Sequence, residues 1–156
     1  MAENHHPGLA APLRSHPRLA GAVLLLLLTI GFYWKLLFTG QYTWLDHPDS
    51  INQVLPWLQL QTRVWHNGEF ALWSPHQWGG YPLAGHIQPG VLNPINWLLF
   101  PLALKYGFIQ IAFVNGQFVL LHFLAAWFTY RLCRDLGRSE LSSVLGAVLF
   151  SLSGYV

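Results

Sequence analysis

The sequence predicts an all-α polytopic membrane protein with two full transmembrane helices, the start of a third, and a large outer loop that contains amphipathic, interfacial helices. Only 9% of its 156 residues are charged and 53% are apolar, whereas about 25% of an average soluble domain is charged. The charges also leave long uncharged stretches. An aromatic content of 15% and a net charge of +2 argue against disorder. The composition therefore argues against a soluble globule and excludes a disordered chain.

The first elements are a polar tail over residues 1–18 and a transmembrane helix over residues 19–38. The helix is an apolar run whose one charge, Lys35, can extend its ammonium to the lipid headgroups. Tyr33 and Trp34 are typical of the membrane interface. A cleaved signal peptide is the alternative, but the run is not followed by a small-residue cleavage site. We therefore expect a retained anchor.

The loop over residues 39–105 is too rich in proline and glycine to cross a membrane, because irregular backbone cannot face lipid. Two short interfacial helices are expected within it, at about 50–66 and 94–104. In the first, apolar side chains recur at helical spacing. We expect Asp49 or Ser50 to cap this helix and Pro56 to kink it. The Asn67-Gly68 pair should end it, and Asn93-Pro94 should begin the second helix.

The second transmembrane helix is predicted over residues 106–130, which carry no formal charge. Its polar side chains should face other helices, and Ala112 with Gly116 would allow a neighbour to approach closely. A turn at 131–140 follows, and residues 141–156 begin a third span too short to cross. We therefore expect the chain to be truncated, the N-terminal part of a longer protein. The polar side chains are Gln110, Asn115, Gln117 and His122.

The distribution of lysine and arginine predicts the orientation. Arginines precede the first span and follow the second, at positions 14, 18, 131, 134 and 138, and few lie in the loop between. The positive-inside rule then places the N-terminus and the 131–140 turn in the cytoplasm and the large loop outside.

Two carboxylates lie just after the first span and are the main candidates for chemistry. Asp46 and Asp49 flank His47, which could carry a proton or contact a phosphate. An ordinary helix cap remains the structural alternative for Asp49.

Six of the eight tryptophans fall in the outer loop. An interfacial belt explains such a distribution, and so does stacking against the apolar faces of sugars, so both interpretations stay open. They are Trp44, Trp57, Trp65, Trp73, Trp78 and Trp97.

Other kinds of site have little support in the sequence. The loop histidines, at positions 47, 66, 76 and 86, match no metal-binding spacing, and Cys133 is the only cysteine. The basic residues are scattered, so we expect no nucleic-acid partner. We expect neither a metal nor another cofactor.

Five motifs follow one another in the loop. They are DSINQVLPW at 49–57, NGEFALWSP at 67–75, GGYPL at 79–83, QPG at 88–90 and NPIN at 93–96. In this order they resemble the bacterial YfhO-like membrane proteins, whose pattern is roughly D-x-x-x-Q-x-x-P-W, G-E-x-P-L-W-N-P, G-G-x-P-x, Q-x-G and P-x-N. This chain has Ala71, Ser74 and His76 where Pro, Asn and an aromatic residue are usual. The resemblance extends from about residue 19 to the C-terminus, including LGRS at 136–139.

The resemblance implies the N-terminal module of a GT-C-like glycosyltransferase in the bacterial inner membrane. Such an enzyme transfers a sugar from a polyprenyl phosphate to an acceptor glycan or lipid of the cell envelope. Asp49 matches the family's aspartate and would be the base, with Asp46 as the second candidate. Arg63 is the expected phosphate contact, with Lys105 further along the chain. Gln53 would hydrogen-bond the sugar or backbone, and Trp73 and Trp78 would be sugar platforms.

Two other functions remain open. A transporter or an envelope-assembly scaffold would be non-enzymatic, although transporters usually carry ionisable groups within their spans. A truncated chain would be inactive by itself. Turnover of a polyprenyl-phosphate sugar separates these possibilities.

Overall fold

A computed structural model describes residues 17–153, and helices make up most of them. The side chains described exclude those of residues 17, 18, 98, 99, 102 and 103. Within these residues the α-helices are α1 (Pro17–Phe32), α2 (Trp34–Phe38), α3 (Leu55–His66), α4 (Pro94–Ala103), α5 (Ile111–Asp135) and α6 (Glu140–Ser151). A π-helical segment, Ser50–Val54, leads directly into α3, and 3₁₀ turns form at Trp44–Asp46 and Leu83–Gly85. Strands β1 (Leu104–Lys105) and β2 (Phe108–Ile109) form an antiparallel hairpin.

One helix of the described residues, α5, is long and apolar enough to cross a membrane. It has 25 residues, and 28% of its most apolar window is buried within the protein. The predicted first span over 19–38 is instead divided at Tyr33 into α1 and α2. Two features weaken a regular helix there: the Thr29 hydroxyl bonds to the Leu25 carbonyl within the helix, and Gly31 lies close to the break.

The predicted helix over 106–130 begins later and ends later than expected. Residues 106–109 belong to the hairpin, whose two-residue turn is Tyr106-Gly107 with φ values of 54° and 79°. Positive φ at both turn positions matches the right-handed twist of a hairpin. The helix continues into the predicted turn and ends at Asp135. The chain then turns away from the helix at Gly137, which has positive φ.

Residues 17–34 and 119–153 belong to one of two compact units. Its core contains Leu25, Ala126, Tyr130 and Ala147. Gly21 lies so close to Tyr130 that a Cβ there would be 2.5 Å from the ring. No described atom lies within 4 Å of the place a Cβ would take on Gly116, so the described residues do not use the close approach predicted there.

Hydrogen bonds and an ion pair hold the turn between α5 and α6. Arg138 and Gly137 donate their amides to the carbonyls of Cys133 and Arg134, both at 3.0 Å, as in a Schellman motif. Glu140 accepts a hydrogen bond from the Tyr130 hydroxyl at 2.6 Å and pairs with Arg134 at 3.3 Å.

Residues Lys35–Phe118 form the other unit. Two apolar clusters form its core: Leu45, Leu58, Phe100, Ile109 and Val114 in the first, and Trp57, Ala71, Tyr81, Leu83 and Val91 in the second. Two of the polar side chains in the second predicted span contact protein here, as expected. Asn115 accepts a hydrogen bond from Thr43 at 2.9 Å, and Gln117 donates one to Asn96 at 2.6 Å.

Candidate functional site

Asp49 lies in the first turn of a helical run that continues to His66. Ser50 and Ile51 both donate their amides to the His47 carbonyl, at 2.9 and 3.2 Å, so helical hydrogen bonding begins at His47. The Asp49 backbone is helical and its side chain makes no capping hydrogen bond. The prediction that the Asp49 side chain caps this helix is therefore wrong. A carboxylate in this first turn is still favoured by the positive end of the helix dipole.

Pro56 produces a wider turn where a kink was expected. Proline has no amide hydrogen, and its ring collides with the carbonyl four residues earlier in a regular helix. The chain meets this constraint with the π-helical segment Ser50–Val54, closed by a bond from the Leu55 amide to the Ser50 carbonyl. Such segments are frequent at functional sites. Here the segment carries Gln53.

The helical run forms one wall of an open cleft of about 340 Å³. Asp49, Gln53 and Trp57 follow one another at intervals of four residues, so they share a face of the run. Gln88 contributes from a later loop. We call this feature the Asp49 cleft. Its lining residues are Asp49, Gln53, Val54, Trp57 and Gln88.

Buried amides hold the loop that carries Gln88. Gln61 donates to the Pro89 carbonyl at 2.8 Å, and Asn96 donates to the Gly90 carbonyl at 3.0 Å. Gly90 has φ of 62°, and a Cβ there would lie 3.2 Å from the Asn96 amide nitrogen. A residue other than glycine would therefore strain the loop and its contact with Asn96.

The Trp57 indole joins the Asp49 cleft to the loop over residues 74–81. Its N–H donates to Gln77 Oε1 at 2.9 Å. The loop is closed by paired backbone bonds between Ser74 and Tyr81, both 2.9 Å. Burial raises the pKa of the Tyr81 phenol, and the nearby Trp57 indole, which gives its hydrogen bond to Gln77, opposes the shift only in part.

Of the predicted sugar platforms, Trp78 lies on this loop and Trp73 directly precedes it, and both side chains are exposed. Trp73 covers Gly80, where a Cβ would be 2.8 Å from the indole. Trp78 is 83% exposed and has φ of 50°. A bulky residue with positive φ is a real outlier, and such strain tends to occur at functional sites.

His47 faces the Asp49 carboxylate. Its Nδ1 lies 3.7 Å from Asp49 Oδ2 and accepts the Asp49 amide at 3.3 Å. The carboxylate is 73% exposed. Asp46, at the end of a 3₁₀ turn, is also exposed but does not line the Asp49 cleft. The side chains of His47 and Asp49 are therefore neighbours without a hydrogen bond between them.

Arg63 is not brought to the Asp49 cleft. It lies on α3, 14 residues after Asp49, or about 20 Å along a helix. Its Nε donates to the Gly107 carbonyl at 2.9 Å, and its guanidinium lies over the Phe108 ring. The structure thus gives Arg63 a role in holding the hairpin.

The structure brings together Asp49, Gln53 and His47, and adds Trp57 and Gln88, which the sequence argument did not name as site residues. Both belong to motifs of the resemblance, and that position was the available signal. Within residues 17–153, no group of three His, Cys, Asp or Glu side chains could hold a metal.

The contacts also explain several motif residues as structural. Asn96 binds the loop that begins at Gln88, and Asn93 caps α4 by accepting the Ile95 amide at 3.0 Å. Comparisons with protein-family models, with curated proteins and with solved structures find no match for this chain.

Proposed function

We propose that this chain is the N-terminal portion of a multi-pass membrane glycosyltransferase of the YfhO-like kind in the bacterial inner membrane. Its N-terminus would be cytoplasmic and residues 39–105 would face outward. The observation that carries the proposal is the Asp49 cleft, to which two separate motifs of the resemblance, residues 49–57 and 88–90, contribute side chains. The exposed apolar helix α5 supports the membrane location.

In the proposed reaction, an acceptor hydroxyl oxygen attacks the anomeric carbon of the polyprenyl-phosphate sugar. The bond from that carbon to the phosphate oxygen breaks, and polyprenyl phosphate leaves with the electron pair. Asp49 takes the proton from the acceptor hydroxyl. His47, 3.7 Å away, then accepts it and releases it to water.

Gln53 and Gln88 would orient the substrates. Both line the Asp49 cleft, and an amide both donates and accepts hydrogen bonds, as sugar hydroxyls require. Trp78 follows directly after Gln77, which is bonded to the cleft wall at Trp57. An exposed indole at that position offers a flat apolar surface to a sugar ring.

His47 replaces Arg63 as the proposed phosphate contact. Arg63 is held at the hairpin about 20 Å along the helical run from Asp49. Once His47 has taken the proton from Asp49, it would be a charged donor for the leaving phosphate. The donor phosphate would then lie at the end of the cleft that contains Asp49.

The test is sugar transfer by membranes that contain the wild-type protein or a variant in its natural gene context. Radiolabelled polyprenyl-phosphate sugars serve as donors, and product is counted in the envelope fraction. Asp49→Asn should lower transfer by about a hundredfold or more, because it removes the base but keeps the shape. Asp46→Asn is the matched control and should retain most activity. Equal transfer by Asp49→Asn and wild type, at equal membrane insertion, would exclude Asp49 as the base.

A non-enzymatic scaffold is the alternative, and one observation favours it. Arg63 and Gln59 both donate to the Gly107 carbonyl, at 2.9 and 3.1 Å, so the predicted phosphate ligand has a structural use. On that account, wild-type membranes would transfer no label from any donor. An inactive fragment would also transfer no label. In that case the gene's reading frame would not continue into further spans.

A further inference from the structure

A second recess in the Lys35–Phe118 unit lies away from the Asp49 cleft. It is an open pocket of about 280 Å³ lined by Trp65, Gly68, Glu69 and Phe70. Three of these residues also line a small inner cavity that leaves about 10 Å³ for the centre of a water-sized group. The two spaces together are called the Glu69 pocket. The inner cavity is completed by Gln61, Ala71, Val91, Trp97 and Phe100.

Gln61 lines the inner cavity, and its Oε1 is a buried acceptor without a partner among the described residues. Gln61 is 2% exposed, and no described atom donates a hydrogen bond to its Oε1. The amide orientation is fixed, because its Nε2 donates to the Pro89 carbonyl at 2.8 Å. An unsatisfied buried acceptor is costly, so a ligand that donates a hydrogen bond would be stabilised there.

Aromatic rings and a carboxylate surround the same space. Trp65 stacks on Trp97 with centroids 6.2 Å apart, and Phe70 packs edge-on against both, at 5.4 and 5.6 Å. Ring faces attract cations. The Glu69 carboxylate is exposed at the rim. The lining thus offers an acceptor, π surfaces and a negative charge.

We infer that the Glu69 pocket binds a primary ammonium group. The ammonium would enter the inner cavity and donate to Gln61 Oε1, while Glu69 and the Trp65 and Phe70 rings balance its charge. A primary ammonium is about the size of a water molecule, which such a cavity can just accept. A trimethylammonium is too large. The inference does not depend on sugar transfer or on Asp49.

Binding is tested by calorimetry on the detergent-solubilised chain in an amine-free phosphate buffer. Ethanolamine is the probe, choline the size control and ethylene glycol the neutral control. We expect ethanolamine to bind and the two controls to give no heat beyond dilution. Binding of choline as strong as that of ethanolamine, or no binding of ethanolamine, would overturn the inference and leave a water-filled cavity.

Matched variants assign the binding to the Glu69 pocket. Glu69→Gln keeps the shape and should weaken ethanolamine binding by about tenfold. Asp46→Asn removes another exposed carboxylate of the same unit. This change should alter the affinity for ethanolamine by less than about twofold. Phe70→Leu should weaken it by about two- to fivefold through loss of a ring. An unchanged affinity in Glu69→Gln would contradict the assignment.

Lipid nanodiscs distinguish a headgroup from a soluble amine. If phosphatidylethanolamine occupies the pocket, free ethanolamine should bind more weakly in discs of that lipid than in phosphatidylcholine discs. Equal affinity in both discs assigns the pocket to soluble amines. Either result supports an ammonium site, whereas loss of binding in both discs contradicts it.

Discussion

At the scale of single residues, close packing and burial decide which side chains tolerate change. Gly21 and Gly31 are both on α1 but have opposite surroundings. A Cβ on Gly21 would meet the buried Tyr130 ring at 2.5 Å, whereas one on Gly31 would meet no described atom within 4 Å. Replacing each glycine by alanine therefore separates the effect of packing on stability from the effect of helix propensity.

Gly21→Ala should destabilise the protein by about 1–3 kcal/mol, because the added methyl must displace Tyr130. Gly31→Ala is the control and should be neutral or stabilising by up to about 1 kcal/mol. Unfolding by SDS in micelles, followed by far-ultraviolet circular dichroism, measures both. Similar stability of the two variants would contradict the packing described for Tyr130.

Tyr81 gives a pH-dependent prediction. Its hydroxyl is buried and has no hydrogen-bond partner among the described residues, and burial raises its pKa. The neutral phenol therefore stabilises the fold fully below the unfolded pKa, near 10, and this contribution is lost as pH rises through the higher folded pKa. Unfolding midpoints between pH 8 and 11 should fall for wild type and fall less for Tyr81→Phe.

At neutral pH, Tyr81→Phe should change stability by no more than about 1 kcal/mol, since it removes an unsatisfied group. Tyr106→Phe, which removes an exposed phenol, is the control and should keep the wild-type pH profile. A loss above about 2 kcal/mol in Tyr81→Phe would instead mean that its hydroxyl is bonded.

At the scale of elements, local sequence signals predicted helix ends better than the hairpin. The Asn93-Pro94 pair begins α4 as predicted, and Asn67-Gly68 ends α3, with φ of 78° at Gly68. Capping depends on adjacent residues, so the sequence reveals it. The hairpin β1–β2 was missed because a tyrosine rarely adopts positive φ, and because residues 106–109 begin the uncharged run that predicts the second span.

Tyr106→Asn should stabilise the hairpin by up to about 1 kcal/mol. The first position of this turn needs positive φ, which asparagine adopts more easily than tyrosine. Tyr106 is 91% exposed, so little packing is lost. Ile87→Asn, at a residue 96% exposed, is the control and should bring no gain. Amide exchange at Ile109, which donates to Gln59 at 2.8 Å, reports the change. Faster exchange in Tyr106→Asn would contradict it.

The Asp49 cleft was only partly predictable from the sequence. The helical spacing of Asp49, Gln53 and Trp57 is visible in it, but the width of the Ser50–Val54 turn depends on how the chain accommodates Pro56. Gln88 reaches the cleft through tertiary contacts of Gln61 and Asn96. Such contacts join distant parts of the chain and leave no local pattern.

At the scale of the whole molecule, each unit has its own core, and among residues 17–153 one helix, α5, is long and apolar enough to cross a membrane. The predicted topology assigns the 131–140 turn to the cytoplasm and the Asp49 cleft to the outside. The proposed reaction needs that arrangement, because its acceptors are in the cell envelope. The side of the membrane on which residues 39–105 lie is thus the central claim.

Cysteine labelling in intact cells with a membrane-impermeant maleimide measures this most directly. Cys133, the only cysteine, lies in the 131–140 segment, and Ile87 is exposed in the loop. The wild-type protein should be labelled only after permeabilisation, whereas the double variant Cys133→Ser, Ile87→Cys should be labelled in intact cells. Labelling of Cys133 from outside, or protection of the cysteine at 87 until permeabilisation, would contradict the account.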